Sequence, residues 1–410
     1  MKKMFDLNEL YANRIGEKNQ FNKKCLSSFV KIQRAKEEAI NKGYEVLDFG
    51  NSEPCETDNE GIISFLDEKI NKMKLKDDDK NISLEFNKAC AGYLRVEHGV
   101  DLDYKNEIVC CNSVKELLNF LPLAFINKGD YVITTIPGYI EKINMNDWLE
   151  SNVYEYKLNK FNSYLIDFED IDENVLKKCK MLYLNYPNNP TGAVATKEFF
   201  KEVVKYAKKY NFIVVHDASD IDLCFDDIDK ISFLSTEGAK DVGIELYDLS
   251  NNYNMNKWKM GFVAGNKDII KVFSQIKDNL GLENFFAKQK MAINVLNNYE
   301  MINKKEKEKY LRRHKLIKEV LKKHGFNIEI PKASFYQYVS VPKKCNGVSF
   351  ESAEEFALWF IENVNIMVIP YDVNGKYIRI SMAFAADNEE KEKEVAIKLD
   401  EKLSKFKFDF

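Results

Sequence analysis

Between residues 107 and 264, short apolar, β-branched runs alternate with amphipathic stretches, and no other feature limits the possible fold so strongly. A strand buried on both faces reads as a continuous apolar run, whereas a helix lying over it repeats apolar residues three and four apart. The repeated order of strand, helix, strand therefore predicts a mainly parallel sheet between helices. Strands are expected at 107–111, 131–136, 181–185, 212–216, 243–248 and 260–264. One intervening helix is expected over 113–126, with Val114, Leu117, Leu118 and Leu121 on its apolar face. Another opens at Thr196 as N-cap and buries Phe199, Phe200, Val203, Val204 and Ala207.

From about residue 284 the pattern changes. Residues 304–323 read as a long helix ending near Gly325, and 334–341, 366–369 and 377–381 read as strands of a second, smaller sheet. A chain of 410 residues exceeds one ordinary core. The expected division is a large domain over 46–284 and a small domain built from 1–45 and 285–410. No Pro-rich or low-complexity linker separates them, so the two are expected to interlock.

A net charge of -4 supplies no basic footprint, and the lysine runs alternate with glutamate as on solvated helix faces, so nucleic acid is not an expected partner. Residues 1–11 lack the apolar core of a signal peptide and no run is long enough to span a bilayer; a cytoplasmic chain with no membrane partner is expected. The eight cysteines show neither Cys-x-x-Cys pairs nor zinc spacing, as befits free thiols in a reducing compartment.

Four motifs carry chemistry. Tyr186-Pro187-Asn188-Asn189-Pro190-Thr191-Gly192 is a turn after a strand, and Val214-Val215-His216-Asp217 ends the next one. Arg379 lies within Tyr377-Ile378-Arg379-Ile380-Ser381, in a chain whose other arginines are only Arg14, Arg34, Arg95, Arg312 and Arg313. The fourth is Ser250-Asn251-Asn252-Tyr253-Asn254-Met255-Asn256-Lys257-Trp258-Lys259-Met260-Gly261. With these motifs, and from about residue 47 to 399, the chain resembles the class I/II aminotransferases, enzymes of fold type I that use pyridoxal 5'-phosphate (PLP). Its texture is similar to the LL-diaminopimelate aminotransferase subgroup.

The resemblance implies an α/β fold: a large domain with a mainly parallel, seven-stranded type of sheet between helices, plus a smaller α+β domain. It also implies PLP as cofactor, a small amino or keto acid as ligand, and dimers with sites at the subunit interface. Asn189 then corresponds to the residue that bonds the ring hydroxyl oxygen, and Asp217 to the partner of the protonated ring nitrogen. Tyr139 falls where an aromatic stacks on the ring, and Arg379 where a guanidinium fork holds the substrate's α-carboxylate.

The departures gather on the phosphate and the catalytic amine. Asn251 stands at the Schiff-base lysine position, and an amide serves neither as nucleophile nor as general base. The phosphate positions carry Ser113, Val114, Asp248 and Lys259, where the family has a Gly-Ser type turn, a serine and an arginine. Asp220 replaces a tyrosine and Ser52 a glycine, while the stretch 77–85 lacks the family's Tyr and Gly. A carboxylate at 248 set a few ångströms from a phosphate would cost on the order of 4 kcal/mol at an effective dielectric of ~20.

Together these changes predict a chain that has lost PLP Schiff-base chemistry. It would act as an amino-acid or carboxylate-binding protein, or as a non-catalytic subunit, with PLP not covalently bound. As assemblies, a homodimer and a hetero-oligomer with an active relative both stay open. One alternative is a functional PLP-dependent aminotransferase that uses an unaligned lysine or a substrate-derived base. Another is a PLP-independent enzyme working in the acidic pocket of Asp217, Asp220 and Asp248. Solvated or lysine-paired carboxylates are the expected state of that pocket, so no metal is assigned.

Overall fold

The computed structural model describes residues 28–51, 79–138, 148–225, 228–253, 255, 258–282 and 286–410. Its strands in chain order begin with β1 (Leu47–Asp48), β2 (Ile108–Cys111), β3 (Tyr131–Ile136), β4 (Asn152–Lys157) and β5 (Cys179–Asn185). They continue with β6 (Ile213–Asp217), β7 (Gly243–Asp248), β8 (Gly261–Gly265), β9 (Tyr336–Ser340), β10 (Lys344–Cys345) and β11 (Val348–Ser349). The last are β12 (Ile366–Met367), β13 (Ile369–Tyr371), β14 (Tyr377–Ser381) and β15 (Phe408–Asp409).

A seven-stranded sheet runs in the order β2-β8-β7-β6-β5-β3-β4. Pairs from β4 through β7 are parallel, and β8 runs antiparallel to both its neighbours. The α/β fold expected from the alternation is thus present, and the six strands read between residues 107 and 264 fall within this sheet to within a residue or two at their ends. β4 escaped the sequence reading because it lies at the sheet's edge: Asn-Val-Tyr-Glu-Tyr-Lys is largely exposed, and an edge strand needs no apolar run.

The helix expected over 113–126 is two, Val114–Phe120 and Pro122–Phe125. Pro122 has no N–H to continue the ladder, so it opens a new turn instead. Lys197–Tyr210 behaves as read: Thr196 accepts the N–H of Phe199, and Asn211 closes the helix in the left-handed region at φ 57°. The long helix starts earlier than expected, at Tyr299, and runs to Lys323.

The smaller sheet is β13-β14-β9, antiparallel throughout, with β1 paired to β12 beside it. One core lies on the Phe200, Phe233 and Phe262 side of the large sheet and a second surrounds Phe335, Phe356 and Ile378. Ala287, Met291 and Val295 of the Phe286–Asn297 helix pack into the first. Among the described residues no helix is long and apolar enough to cross a membrane.

Candidate active site

Parallel pairing brings the carboxyl ends of successive strands to one edge, which is where open α/β sheets hold ligands. Asn185 pairs with Asp217, and Asp217 with Leu246, so the ends of β5, β6 and β7 lie side by side. The turn after β5 is anchored to this edge. Asn185 Oδ1 accepts the backbone N–H of Asn189 at 2.8 Å, Asn185 Nδ2 donates to the Asp217 carbonyl at 3.1 Å, and the N–H of Tyr186 donates to the same carbonyl at 3.2 Å. The sequence separates Asn189 from Asp217, but one amide side chain ties their backbones together.

Arg379 reaches this edge from β14. It is only 4% exposed. Its Nη1 donates to Asn189 Oδ1 at 3.2 Å, its Nη2 to the Gly50 carbonyl at 3.1 Å, and its guanidinium lies 4.3 Å from the centre of the Tyr336 ring. The stacked ring and the two acceptors fix the plane of the fork, leaving little rotamer freedom to lose when a carboxylate arrives.

Asp217 is buried at the end of β6 and accepts both the N–H and the hydroxyl of Ser219. Burial nevertheless holds its carboxyl above the ordinary range, against the Ser219 bonds and the nearby His216. Asp220, in the same loop, is pushed up to about 7, chiefly by burial and further by Asp217 and Asp248, while the Ser334 hydroxyl and Arg379 act the other way. Ser334 Oγ donates to Asp220 Oδ2 at 2.5 Å.

The departing positions are arranged differently. Ser113 accepts the N–H of Glu116 at 3.2 Å and so caps its own helix, in which Val114 is buried. Asp248 caps the Leu249–Asn252 helical turn, accepting the N–H of Ser250 at 2.7 Å. Lys259 is exposed with its backbone at φ 43°. Asn251 lies within the turn that Asp248 caps. Tyr139, Ser52 and Lys257 lie outside the described residues, as does most of the stretch 77–85 as far as side chains are concerned. Among the described residues no three His, Cys, Asp or Glu side chains are placed to hold a metal ion.

Two residues of this region escaped the sequence reading. Ser334 bonds Asp220 from just before β9, and Asp222 binds two tyrosines behind the pocket. Tyr253 sits inside the quoted motif and was the available signal for the second; nothing in the sequence pairs Ser334 with Asp220.

These residues fit the pyridine ring of PLP. A buried carboxylate raised by desolvation is the group that a ring N–H⁺ would relieve, and it lies on the same strand edge as an amide and a guanidinium. With Asn189 Oδ1 already accepting from Arg379, the NH₂ end would be the one able to donate toward a ring hydroxyl oxygen.

The model of the family "Aminotransferase class I and II" matches residues 74–398. LL-diaminopimelate aminotransferase of Methanocaldococcus jannaschii is 38% identical over 386 residues, 93% of this chain and 92% of the relative. The protein of the same name from Halothermothrix orenii is 31% identical, over 92% of this chain and 96% of the relative. Among solved structures, substrate-bound BacF from Bacillus subtilis superposes with a TM-score of 0.82 at 29% identity, covering 92% of this chain and 95% of the other.

This similarity corrects the expectation drawn from Asn251, Val114 and Asp248 of a non-catalytic binding protein or subunit. Relatives at 31–38% identity, each matched along almost its whole length, are named as aminotransferases. The functional-enzyme alternative is the better supported reading, and the error was to weigh a few altered positions above the agreement of the rest. The chain belongs to the class I and II aminotransferases.

Proposed function

We propose that this chain is a PLP-dependent aminotransferase that moves an amino group between an α-amino acid and a 2-oxo acid, with LL-diaminopimelate as the first amino donor to examine. The observation that carries the reading is the meeting of Arg379, Asn189 and Asp217 at one buried strand edge. Arg379 binds and orients the α-carboxylate of the amino acid or the oxo acid. Asn189 and Asp217 would hold the two polar edges of the pyridine ring, and Tyr139 stands at the sequence position of the aromatic that covers its face in the family. PLP bound there supplies the electron sink that acidifies the substrate's α carbon.

Position 251 carries an amide, so the cofactor is held without a bond to that residue. The proton transfer would then fall to an unaligned lysine or a substrate-derived base. The chain acts as a homodimer in this reading. The proposed units remain 46–284 and 1–45 with 285–410, the Phe286–Asn297 helix crossing from the second to pack on the first.

The test is incubation of the purified chain with PLP, LL-diaminopimelate and a panel of 2-oxo acids, with mass spectrometry of the amino acids formed. A new amino acid matching one added oxo acid is expected. No transfer to any of them, or from any other amino acid offered, would overturn the proposal. Borohydride reduction and peptide mass analysis then locate any lysine that carries the pyridoxyl group.

A further inference from the structure

Behind the strand edge lies a buried anion that the proposed chemistry does not use. Asp222 sits in the short turn Ile221–Leu223, in the loop that begins at Asp217, and is 2% exposed. Its Oδ2 accepts two phenol hydroxyls, from Tyr253 at 2.6 Å and from Tyr93 at 2.7 Å, and its carbonyl accepts the amide of Asn303 at 2.7 Å. Lys230 Nζ is 3.6 Å from the other carboxylate oxygen. Both phenols are buried, and burial together with the Asp222 charge pushes their pKa values well up, so they remain donors throughout the working pH range.

The two tyrosines anchor different parts of the molecule. Tyr93 belongs to the Asp79–His98 helix and also contacts His98 Nε2 at 3.2 Å. Tyr253 immediately follows the Leu249–Asn252 turn, which carries Asn251 and is capped by Asp248. Backbone bonds already close this segment on itself: Met255 N–H to the Ser250 carbonyl at 2.9 Å, and Leu249 N–H to the Met260 carbonyl at 3.0 Å. They fix the turn's shape. The β6–β7 ladder, continued by the Ala218 N–H on the Leu246 carbonyl at 2.9 Å, places the start of the turn, and the Tyr253 hydroxyl bond ties its far end to the loop of Asp217 and Asp220.

We infer that Asp222 is a positioning residue, which through the Tyr253 hydroxyl holds the far end of the turn bearing Asn251 against the Asp217 loop. The inference rests on the aminotransferase reading for its functional meaning, but the tether itself is a property of the chain. Charge-assisted bonds to a desolvated carboxylate are the strong ones, and a hydroxyl lost from this site leaves the carboxylate with one donor fewer. The turn then gains freedom while its internal bonds persist.

The experiment compares Tyr253→Phe and Asp222→Asn with a control, Tyr93→Phe, which removes the other donor to the same oxygen. Amide hydrogen exchange of the full chain is followed by mass spectrometry. Exchange over 246–256 is expected to rise about tenfold in Tyr253→Phe and Asp222→Asn, and to stay within about twofold of wild type in Tyr93→Phe. In amino transfer, Tyr253→Phe is expected to lower kcat about tenfold and leave KM for the amino acid, held by Arg379, within about twofold. Should Asp222→Asn not fold, Tyr253→Phe alone decides, since it keeps the ring and its packing. Unchanged exchange over 246–256, an equal rise in Tyr93→Phe, or unchanged kcat in a loosened Tyr253→Phe would each overturn the inference. A wild-type chain that transfers no amino group would fail the functional reading, while the exchange contrast would still test the tether.

Discussion

Arg379 donates to Asn189 across 3.2 Å, joining the central strand of the small sheet to the turn that follows β5 of the large one. The fork therefore rests on an amide that is itself a proposed cofactor contact. The proposed ring and carboxylate subsites would share this one hydrogen bond, so that a change at either residue should be felt at the other.

Replacing Arg379 by alanine removes a charge-assisted fork worth about 3 kcal/mol, so kcat/KM for amino acid and oxo acid should fall roughly a hundredfold. Lysine at 379 keeps the charge but not the plane, and should recover only part of the loss. Steady-state kinetics with both substrates check this; an unchanged KM in the alanine variant would exclude Arg379 as the carboxylate anchor.

Asp217→Asn should separate function from stability. The asparagine still accepts from Ser219 but cannot answer a charged ring nitrogen, so PLP affinity should weaken about tenfold or more. Burial raises the native carboxyl above its unfolded value, so ionising it opposes folding. The variant without cofactor should therefore unfold at higher urea than wild type. A variant that binds PLP as before would remove the proposed role.

Asp220 and His314 predict opposite pH responses through a shared partner. Ser334 gives its hydroxyl to Asp220, and its carbonyl lies 3.1 Å from His314 Nε2. Asp220 is raised from 3.8 to about 7, so the folded state keeps a proton that the unfolded chain releases. Its contribution is largest below pH 4, falls as pH rises toward 7, and is then constant. Burial lowers His314 from 6.5 to about 4, so its neutral form favours the fold above pH 6.5 and that advantage is lost on acidification toward 4. In wild type the two slopes offset. Asp220→Asn should gain stability relative to wild type by on the order of 3 kcal/mol between pH 4 and 7, read from urea unfolding at each pH. A pH-independent difference would show that the Asp220 charge is not buried at a cost.

How much of this was legible follows from what each residue's neighbours are. β6 and β7 are enclosed on both faces, so their apolar runs mark them wherever the chain goes next. The positions of Asn189 and Asp217 could be read from a turn and a strand end with fixed local patterns, and that of Arg379, in the middle of β14, from its place among few arginines, while their roles are those proposed above. The Asn185 bridge, the Ser334 bond to Asp220 and the Tyr93–Asp222–Tyr253 cluster join residues remote in sequence, and no periodicity encodes such a meeting. Asn251, Val114 and Asp248 misled together because altered side chains name lost groups without saying what the remaining fold still does.

Gly192 closes the turn that carries Asn189 and stands at φ 67°, with a Cβ position 2.5 Å from Pro331 Cβ and 2.7 Å from the Ala333 carbonyl. Its N–H donates to the Asn188 carbonyl at 2.7 Å, so the turn cannot rotate away without breaking its own closure. Alanine would meet both a left-handed backbone and a backbone carbonyl that cannot retreat cheaply, because Ala333 leads into β9. Gly192→Ala should lose about 2–3 kcal/mol of stability, measured by urea unfolding. It should also raise KM for the amino acid, since Pro331 and Ala333 lie just ahead of Tyr336, on which Arg379 stacks. Equal loss of stability with unchanged KM would mean that the turn and the guanidinium move independently, against the coupling that the Asn189 bond implies.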